Sequence, residues 1–395
     1  MNQQIEQLYH ISKAKERYII GLMSGTSLDG LDLAYCRVKG SGLNTEVELL
    51  EFDTIAYDES IKKDIRKVFA KQEVDFPYLT LLNARIATFH AELILQFLAD
   101  KNIPKGRVDV IASHGQTVMH VPKHQHHYPD MPNATLQIGD GDHIAVQTGI
   151  ITISDFRQKH VAAGGEGAPL AVYGDYLIFG KIGEDRIMLN MGGIANFTYL
   201  PANGDASQVF VTDTGPGNTM MDAYMKHHFD LPYDQNAQLS SQGNVDVALL
   251  KALKEHYFFS LPFPKTTGPE VFNLDLLHQK IESLSKPSHA DVMATLAVFT
   301  AETIAESILR TIGNQPFSVL SSGGGAHNPK VMHHLKSLLP NCTFNDLSVT
   351  GIHGDAKEAV LFAVLANETL AGNPVNFGVR QGVPGICMGK ISLPA

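Results

Sequence analysis

The chain has 395 residues, of which 44% are hydrophobic and 34 are glycine, so it is long enough for two or three ordinary domains and is neither fibrous nor disordered in composition. Its 31 basic and 41 acidic residues leave a formal charge of −10, which argues against a nucleic-acid groove and against a basic membrane-surface protein. A small anionic ligand stays open, provided that backbone amides and a few arginines meet it locally. The 18 histidines make the charge soft, since protonating all of them would reverse its sign, a colloidal effect that sets in below pH ~6.5. Cys36, Cys342 and Cys387 lie far apart with no CxxC companion, which points to reduced thiols in a cytoplasmic protein. The first twenty residues carry neither a continuous apolar run nor a small-residue cleavage pattern, and no later stretch reads as a run of ~20 apolar residues. Secretion and membrane insertion are therefore not signalled.

In chain order, the first regular signal is YIIGLMSGTSLDGLDLAYCRV at 18–38: an apolar strand, a glycine-punctuated turn, and a strand in which Leu31, Leu33 and Tyr35 alternate with Asp32 and Ala34. This predicts a hairpin with a polar tip. Gly21, Gly25 and Gly30 permit tight turns, and Ser24, Thr26 and Ser27 offer hydroxyls beside backbone amides, so the tip is either a structural turn or a phosphate cradle. It is not a P-loop, because no GxxxxGK[ST] spacing occurs and Lys39 lies beyond the second strand. Asp29 and Asp32 either hold a hydrated magnesium through water or cap and solvate the strand. Next, Leu82, Ile86, Phe89, Leu93 and Phe97 form one apolar helical stripe that ends near Asp100. After Pro104, VDVIA at 108–112 reads as a short buried strand opening into a polar loop, SHGQT, at 113–117. His120, His124, His126 and His127 gather around a proline-bounded loop, where a solvated turn is favoured over a zinc site.

The glycine- and charge-bearing stretch at 139–165 places a domain boundary near 150, giving an N-terminal domain 1–150 and a C-terminal domain 151–395. Arg157, in DFR, either pairs with a substrate carboxylate or forms a structural salt bridge. RIMLNMGGIANFTYL at 186–200 is again strand, double-glycine turn (Gly192, Gly193) and strand. The segment Asp213-Thr214-Gly215-Pro216-Gly217-Asn218 reads as a loop that holds a carboxylate against a cleft, with Asp213 either a general base or a side chain satisfying its own turn amides. Residues 294–310 are helical and lead through FSVLSS into Gly323, Gly324 and Gly325. The order hairpin, helix, strand, glycine loop thus occurs twice, as two α/β domains or as a chance likeness of α/β segments.

Taken together, GLMSGTSLDGLD, SHGQT, QIGDGDHIA, DFRQKHVAAGGEGAPL, LNMGGIANFT, DTGPGN, PKTTGPEVF, SSGGGAHNP and DAKEA resemble the anhydro-N-acetylmuramic acid kinase family, in its order, from about residue 19 onward. That family lies within the actin, sugar kinase and Hsp70-like ATPase superfamily. The resemblance implies an α/β, two-domain actin-like ATPase (ribonuclease H-like) fold with a central active-site cleft, the last segment packing back on the first domain. It implies ATP-dependent conversion of 1,6-anhydro-N-acetylmuramate to N-acetylmuramate 6-phosphate, with water opening the anhydro bond, and ATP and Mg2+ as the groups required. By the same resemblance Asp213 is the base. Gly25, Thr26, Ser27, Leu28, Asp29, Gly30, Leu31 and Asp32 form the ATP loop, joined by Gly192, Gly193, Gly323, Gly324 and Gly325. Arg157, Thr214, Gly215, Pro216, Gly217, Asn218 and Glu358 frame the sugar, and Asp29 is the candidate toward metal, through water. Partners are then the sugar and ATP, without nucleic acid or membrane, and a homodimer is compatible with the family. His160, Glu166 and Pro269 depart from the family's usual Asp, Gln and Arg. A conventional sugar 6-kinase, with Asp213 deprotonating a hydroxyl, and a non-catalytic sugar or nucleotide sensor are the alternatives.

Overall fold

Strands β1 (Glu16–Ser24) and β2 (Gly30–Lys39) pair antiparallel in the register Gly21↔Ala34, forming the hairpin that the alternation predicts. In this computed structural model, residues 2–282, 284, 286–378 and 382–395 are described. They divide into two units, Met1–Phe179 with Thr350–Ala395, and Gly180–Val349.

In the first unit β3 (Glu46–Ala56), β4 (Val110–Val121), β5 (Ala134–Ile138) and β6 (Thr152–Ser154) join the hairpin, and a short strand at Lys390–Ser392 pairs with β6. The order is Lys390–Ser392, β6, β4, β1, β2, β3, with β5 on β4. Period-two alternation sends neighbouring residues of β1 to opposite faces. Ile20 and Leu22 bury against Ile86, Ile94 and Phe97 of the helix Phe76–Asp100. On the opposite face a Cβ on Gly21 would stand 1.9 Å from the Ala359 carbonyl oxygen, so only glycine lets the helix Lys357–Ala371 lie this close. The residues before β1 form a helix, Gln3–Lys13, whose C-terminal carbonyls are capped by the Arg17 guanidinium: Nε donates to Ile11 O at 2.9 Å and Nη2 to Ser12 O at 2.8 Å.

The second unit repeats the pattern. β7 (Arg186–Met191), β8 (Ile194–Leu200), β9 (Phe210–Pro216), β10 (Phe317–Ser322) and β11 (Cys342–Asp346) stand in the order β11-β10-β7-β8-β9. In both units two parallel neighbours precede an antiparallel three-strand meander, so β6-β4-β1-β2-β3 and β11-β10-β7-β8-β9 are topologically the same. The helix His289–Ile312 starts at a Ser288–Asp291 capping box and buries Phe299, Ile304 and Ile308 against Leu189, Met191 and Phe197. Full burial of each such side chain contributes roughly 1.5–3 kcal/mol. Among the described residues this is the one helix long and apolar enough to cross a membrane, and 83% of its apolar window lies inside the fold.

Three expectations are corrected. The boundary falls at Gly180 and not near 150, because β6 pairs parallel with β4 and so belongs to the first sheet. SHGQT is no loop but the middle of β4: Leu22 and Ser24 of β1 pair with Ser113 and Gln116 on one side, and β5 pairs on the other from Gln116 onward. Asp213 to Pro216 are likewise strand, paired with Ile194–Asn196 of β8 across a bulge.

Candidate active site

In the first unit, the end of β1 and the turn after it line a cavity of about 390 Å³ with Ser24, Gly25, Thr26 and Ser27, joined by His114, Thr117, Arg157 and Glu358. The turn is anchored by a buried chain of hydrogen bonds. Tyr57 Oη donates to Ser24 Oγ at 2.9 Å, and Ser24 Oγ donates to Gln116 Oε1 at 2.5 Å. Gln116 Nε2 in turn donates to Gly25 O at 3.3 Å and Thr117 O at 3.1 Å. His90 Nε2 lies 2.7 Å from Tyr57 Oη. Tyr57 has one proton and gives it to Ser24, so His90 must donate, which fixes its Nε2–H tautomer and leaves buried Nδ1 without a hydrogen-bond partner among the described residues. Burial pulls His90 down to about 4, so the ring is neutral near pH 7.

Arg157, in the helix Phe156–Ala162, is aimed by two bonds: Nε donates to His114 Nε2 and Nη1 to Gly167 O, both at 2.7 Å. His114 Nδ1 lies 2.8 Å from Gly115 O, so Nδ1 carries the proton, and Nε2 is free to accept from Arg157. Burial, then the Arg157 charge, pulls His114 down to about 3. Glu358 opens to the cavity yet is hemmed in by protein, which raises its pKa against the opposing pull of Arg157. Asp32 accepts from Thr54 Oγ1 at 2.6 Å and is raised by burial, while Asp29 is exposed at the turn. Of the residues 25–32, Gly25, Thr26 and Ser27 line the cavity; Leu28 and Leu31 sit in the hydrophobic core, and the Cβ position of Gly30 is blocked by Ile55 O at 2.4 Å.

In the second unit Asp213 is a half-buried carboxylate on β9. Its Oδ2 accepts from Thr267 N at 2.8 Å, its own N–H donates to Lys265 O at 2.9 Å, and burial raises its pKa against the lowering effect of the Thr267 amide. Lys265 is itself buried, donating from Nζ to Phe258 O at 2.9 Å with the Phe258 ring centroid 4.3 Å away, and burial pulls it down to about 8. Beyond Asp213 the segment is scaffold. Thr214 Oγ1 donates to Ala195 O at 3.1 Å, the carbonyls of Pro216 and Gly217 accept from Thr300 Oγ1 at 3.1 and 3.0 Å, and a Cβ on Gly215 would reach 3.0 Å from the Phe259 ring. Gly217 N donates to Gly193 O at 2.8 Å and Asn218 N to Gly192 O at 2.9 Å, locking the two glycine turns together. The third turn closes on the same spot, since Cβ atoms on Gly323 and Gly325 would each meet Met191 within 2.8 Å. Gly324 instead faces a cavity of about 400 Å³ with Asn218, Asp222, Tyr233, His327 and Asn328.

Each cavity has the size of a small-ligand pocket. Among the described residues no three or more His, Cys, Asp or Glu side chains are grouped to hold a metal. A magnesium bound mainly by phosphates and water, with one or two carboxylates, needs no such group.

Two α/β units of one strand order, each presenting glycine-flanked turns at strand ends, define a protein of the actin, sugar kinase and Hsp70-like ATPase superfamily. The sequence profile of the anhydro-N-acetylmuramic acid kinase family matches residues 17–390. A protein of that name from Pseudoalteromonas atlantica is 56% identical over 400 residues, covering 100% of both chains. One from Pseudoalteromonas translucida is 52% identical over 398 residues, with 99% of each covered. One from Caldanaerobacter subterraneus is 37% identical over 399 residues, covering 98% of this chain and 100% of its own. The chain belongs to the anhydro-N-acetylmuramic acid kinase family.

Proposed function

We propose that this protein is an ATP-dependent kinase that phosphorylates 1,6-anhydro-N-acetylmuramate at O6 as water opens the 1,6-anhydro bond, giving N-acetylmuramate 6-phosphate and ADP for cell-wall recycling in the cytoplasm. The observation that carries this reading is the full-length likeness to a member of the family, 56% identical over 100% of both chains. The geometry supports a base at Asp213: one oxygen is held by the Thr267 amide, the other has no protein hydrogen bond among the described residues, and burial raises its affinity for a proton.

Asp213 takes a proton from water as the water oxygen bonds to C1. The C1–O6 bond breaks, and O6 captures the γ-phosphoryl group as its bond to ADP breaks. One ring opening thus supplies the phosphate acceptor, which is why hydrolysis and transfer share one positioned arrangement. Arg157, aimed by His114 and Gly167, pairs with the substrate carboxylate, and Glu358 contacts the sugar. The amides and hydroxyls of Ser24 to Ser27 meet the phosphates, and Gly324 lets the nucleoside end approach the second unit's cavity. Asp29 and Asp32 would hold magnesium through water, and it would supply neutralisation of phosphate charge. This is how a chain of charge −10 binds two anions.

The deciding experiment is incubation with ATP, magnesium and the anhydro sugar in heavy-oxygen water. The product gains one phosphate and one labelled oxygen at C1. A phosphorylated product without the label identifies a conventional 6-kinase and overturns the ring-opening step, and no product at all leaves the sensor reading.

A further inference from the structure

We infer that Asp222 is the residue by which this protein recognises the vicinal diol of the nucleotide's ribose. The inference rests on the reading that the second unit's cavity takes the nucleoside end of ATP, and it deepens that reading.

Among the described residues two carboxylates line this cavity, and one of them carries no hydrogen bond. Asp234 is committed to its own turn, Oδ1 accepting from Leu239 N at 2.8 Å and Oδ2 from Ser240 N at 3.0 Å. Asp222 lies in the first turn of the helix Thr219–Phe229, one turn beyond the Gly192–Gly217 lock. Its backbone N–H donates to Asn218 O at 2.8 Å, but its carboxylate makes no hydrogen bond among the described residues. Burial alone pushes it up to about 6, the mark of a carboxylate deprived of water without receiving a donor in exchange.

An ionised carboxylate only accepts, so its ligand must bring donors. Adenine presents mainly acceptors, N1, N3 and N7, which a carboxylate repels; its one donor group, the 6-amino, pairs as well with a carboxamide. Gln235 and Asn236 supply carboxamides in the same lining, and the rings of Tyr233 and His327 supply flat surfaces for a base. The ribose offers two hydroxyl donors on adjacent carbons, a match for the two oxygens of one carboxylate. The chemistry therefore divides: rings and carboxamides for the base, Asp222 for the diol.

Calorimetric titration of the full-length protein with ADP and 2′-deoxy-ADP tests this without turnover. Wild type is expected to bind ADP about 10–100-fold more tightly than 2′-deoxy-ADP at pH 7.5. Lowering the pH through the group near 6 weakens ADP more than the deoxy analogue. Asp222→Asn, nearly isosteric, is expected to lose about 10-fold for ADP and to contract the preference to a few-fold. Equal binding of the two nucleotides by wild type, which needs no variant to fold, overturns the inference, as does a full preference retained in Asp222→Asn. The two readings fail separately. Sugar phosphorylation that uses ATP and 2′-deoxy-ATP alike keeps the proposed function and sinks the role of Asp222, whereas a diol preference without sugar phosphate keeps Asp222 and sinks the function.

Discussion

The two units share a strand order but hold their loops by different means. In the first, the Ser24–Ser27 turn hangs on side chains, running from His90 through Tyr57 and Ser24 to Gln116, with Arg157 aimed by His114 alongside. In the second, the segment after Asp213 is locked by backbone bonds between glycine turns, with the Thr214 and Thr300 hydroxyls beside them, and no Cβ fits at Gly217, Gly323 or Gly325 without a shift. Side-chain wiring can be titrated and trimmed one group at a time. A backbone lock tolerates no added atom, and it holds the turns without drawing on the second oxygen of Asp213.

The sharpest test of that contrast is Asp213→Asn. Turnover is expected to fall about 10²–10⁴-fold, the usual worth of a general base, while thermal unfolding stays close to wild type. Product mass spectrometry and a melting curve read the two effects separately. Near-normal turnover would remove Asp213 as the base. A large loss of stability would show that it holds the strand, and would break the contrast.

Next in size is Gly217→Ala. Its Cβ would stand 2.2 Å from Gly192 O, so backbone must shift, at a cost of about 2–4 kcal/mol. Gly25→Ala is the control in the other unit, since the nearest atom to its Cβ is Ser27 Oγ at 3.8 Å, and a change within about 1 kcal/mol is expected. Denaturant unfolding of both variants, with equal losses, would erase the distinction.

Tyr57→Phe probes the side-chain wiring. It removes the donor to Ser24 and strands the His90 N–H in a buried site, at about 1–3 kcal/mol. Adding His90→Leu removes the stranded donor, so the double variant should be less unstable than the sum of the singles. Strict additivity would mean that the two residues are not wired together.

Sequence reading reached the hairpins and long helices because alternation and the Leu82–Phe97 stripe are local signals. It failed where polar residues are buried by distant partners. Ser113, His114 and Gln116 look like loop, but they are buried strand, and the side chains of His114 and Gln116 bond to Arg157 and Ser24. Asp213 to Gly215 misled in the same way. The boundary was misplaced because β6 is only three residues long and declares its unit solely by pairing with β4. The glycines announced crowding, though which backbone crowds them was not readable. Tyr57 and His90 carried no signal, since their bond spans 33 residues and His90 sits within an apolar helix. Asp222 was hidden likewise, as one acidic residue in a helix's first turn among many.

The smallest expected effect separates the wiring by pH. His90 is held near 4 in the folded chain, below its unfolded value near 6.5. The folded state therefore resists a proton that the unfolded chain accepts, so the stabilisation is complete above pH 6.5 and drains away as pH falls from there toward 4. Other groups titrate in the same range, including Asp222, raised to about 6, whose contribution has the opposite sign because ionisation there opposes folding as pH rises. Comparing unfolding of wild type with His90→Leu at pH 7 and pH 6 cancels these shared terms. Wild type should lose on the order of 1 kcal/mol more than the variant over that interval. An identical pH dependence would mean that the ring takes up its proton as freely folded as unfolded, and the chain from His90 to Gln116 would then not be the neutral, fixed-tautomer support on which the Ser24 turn rests.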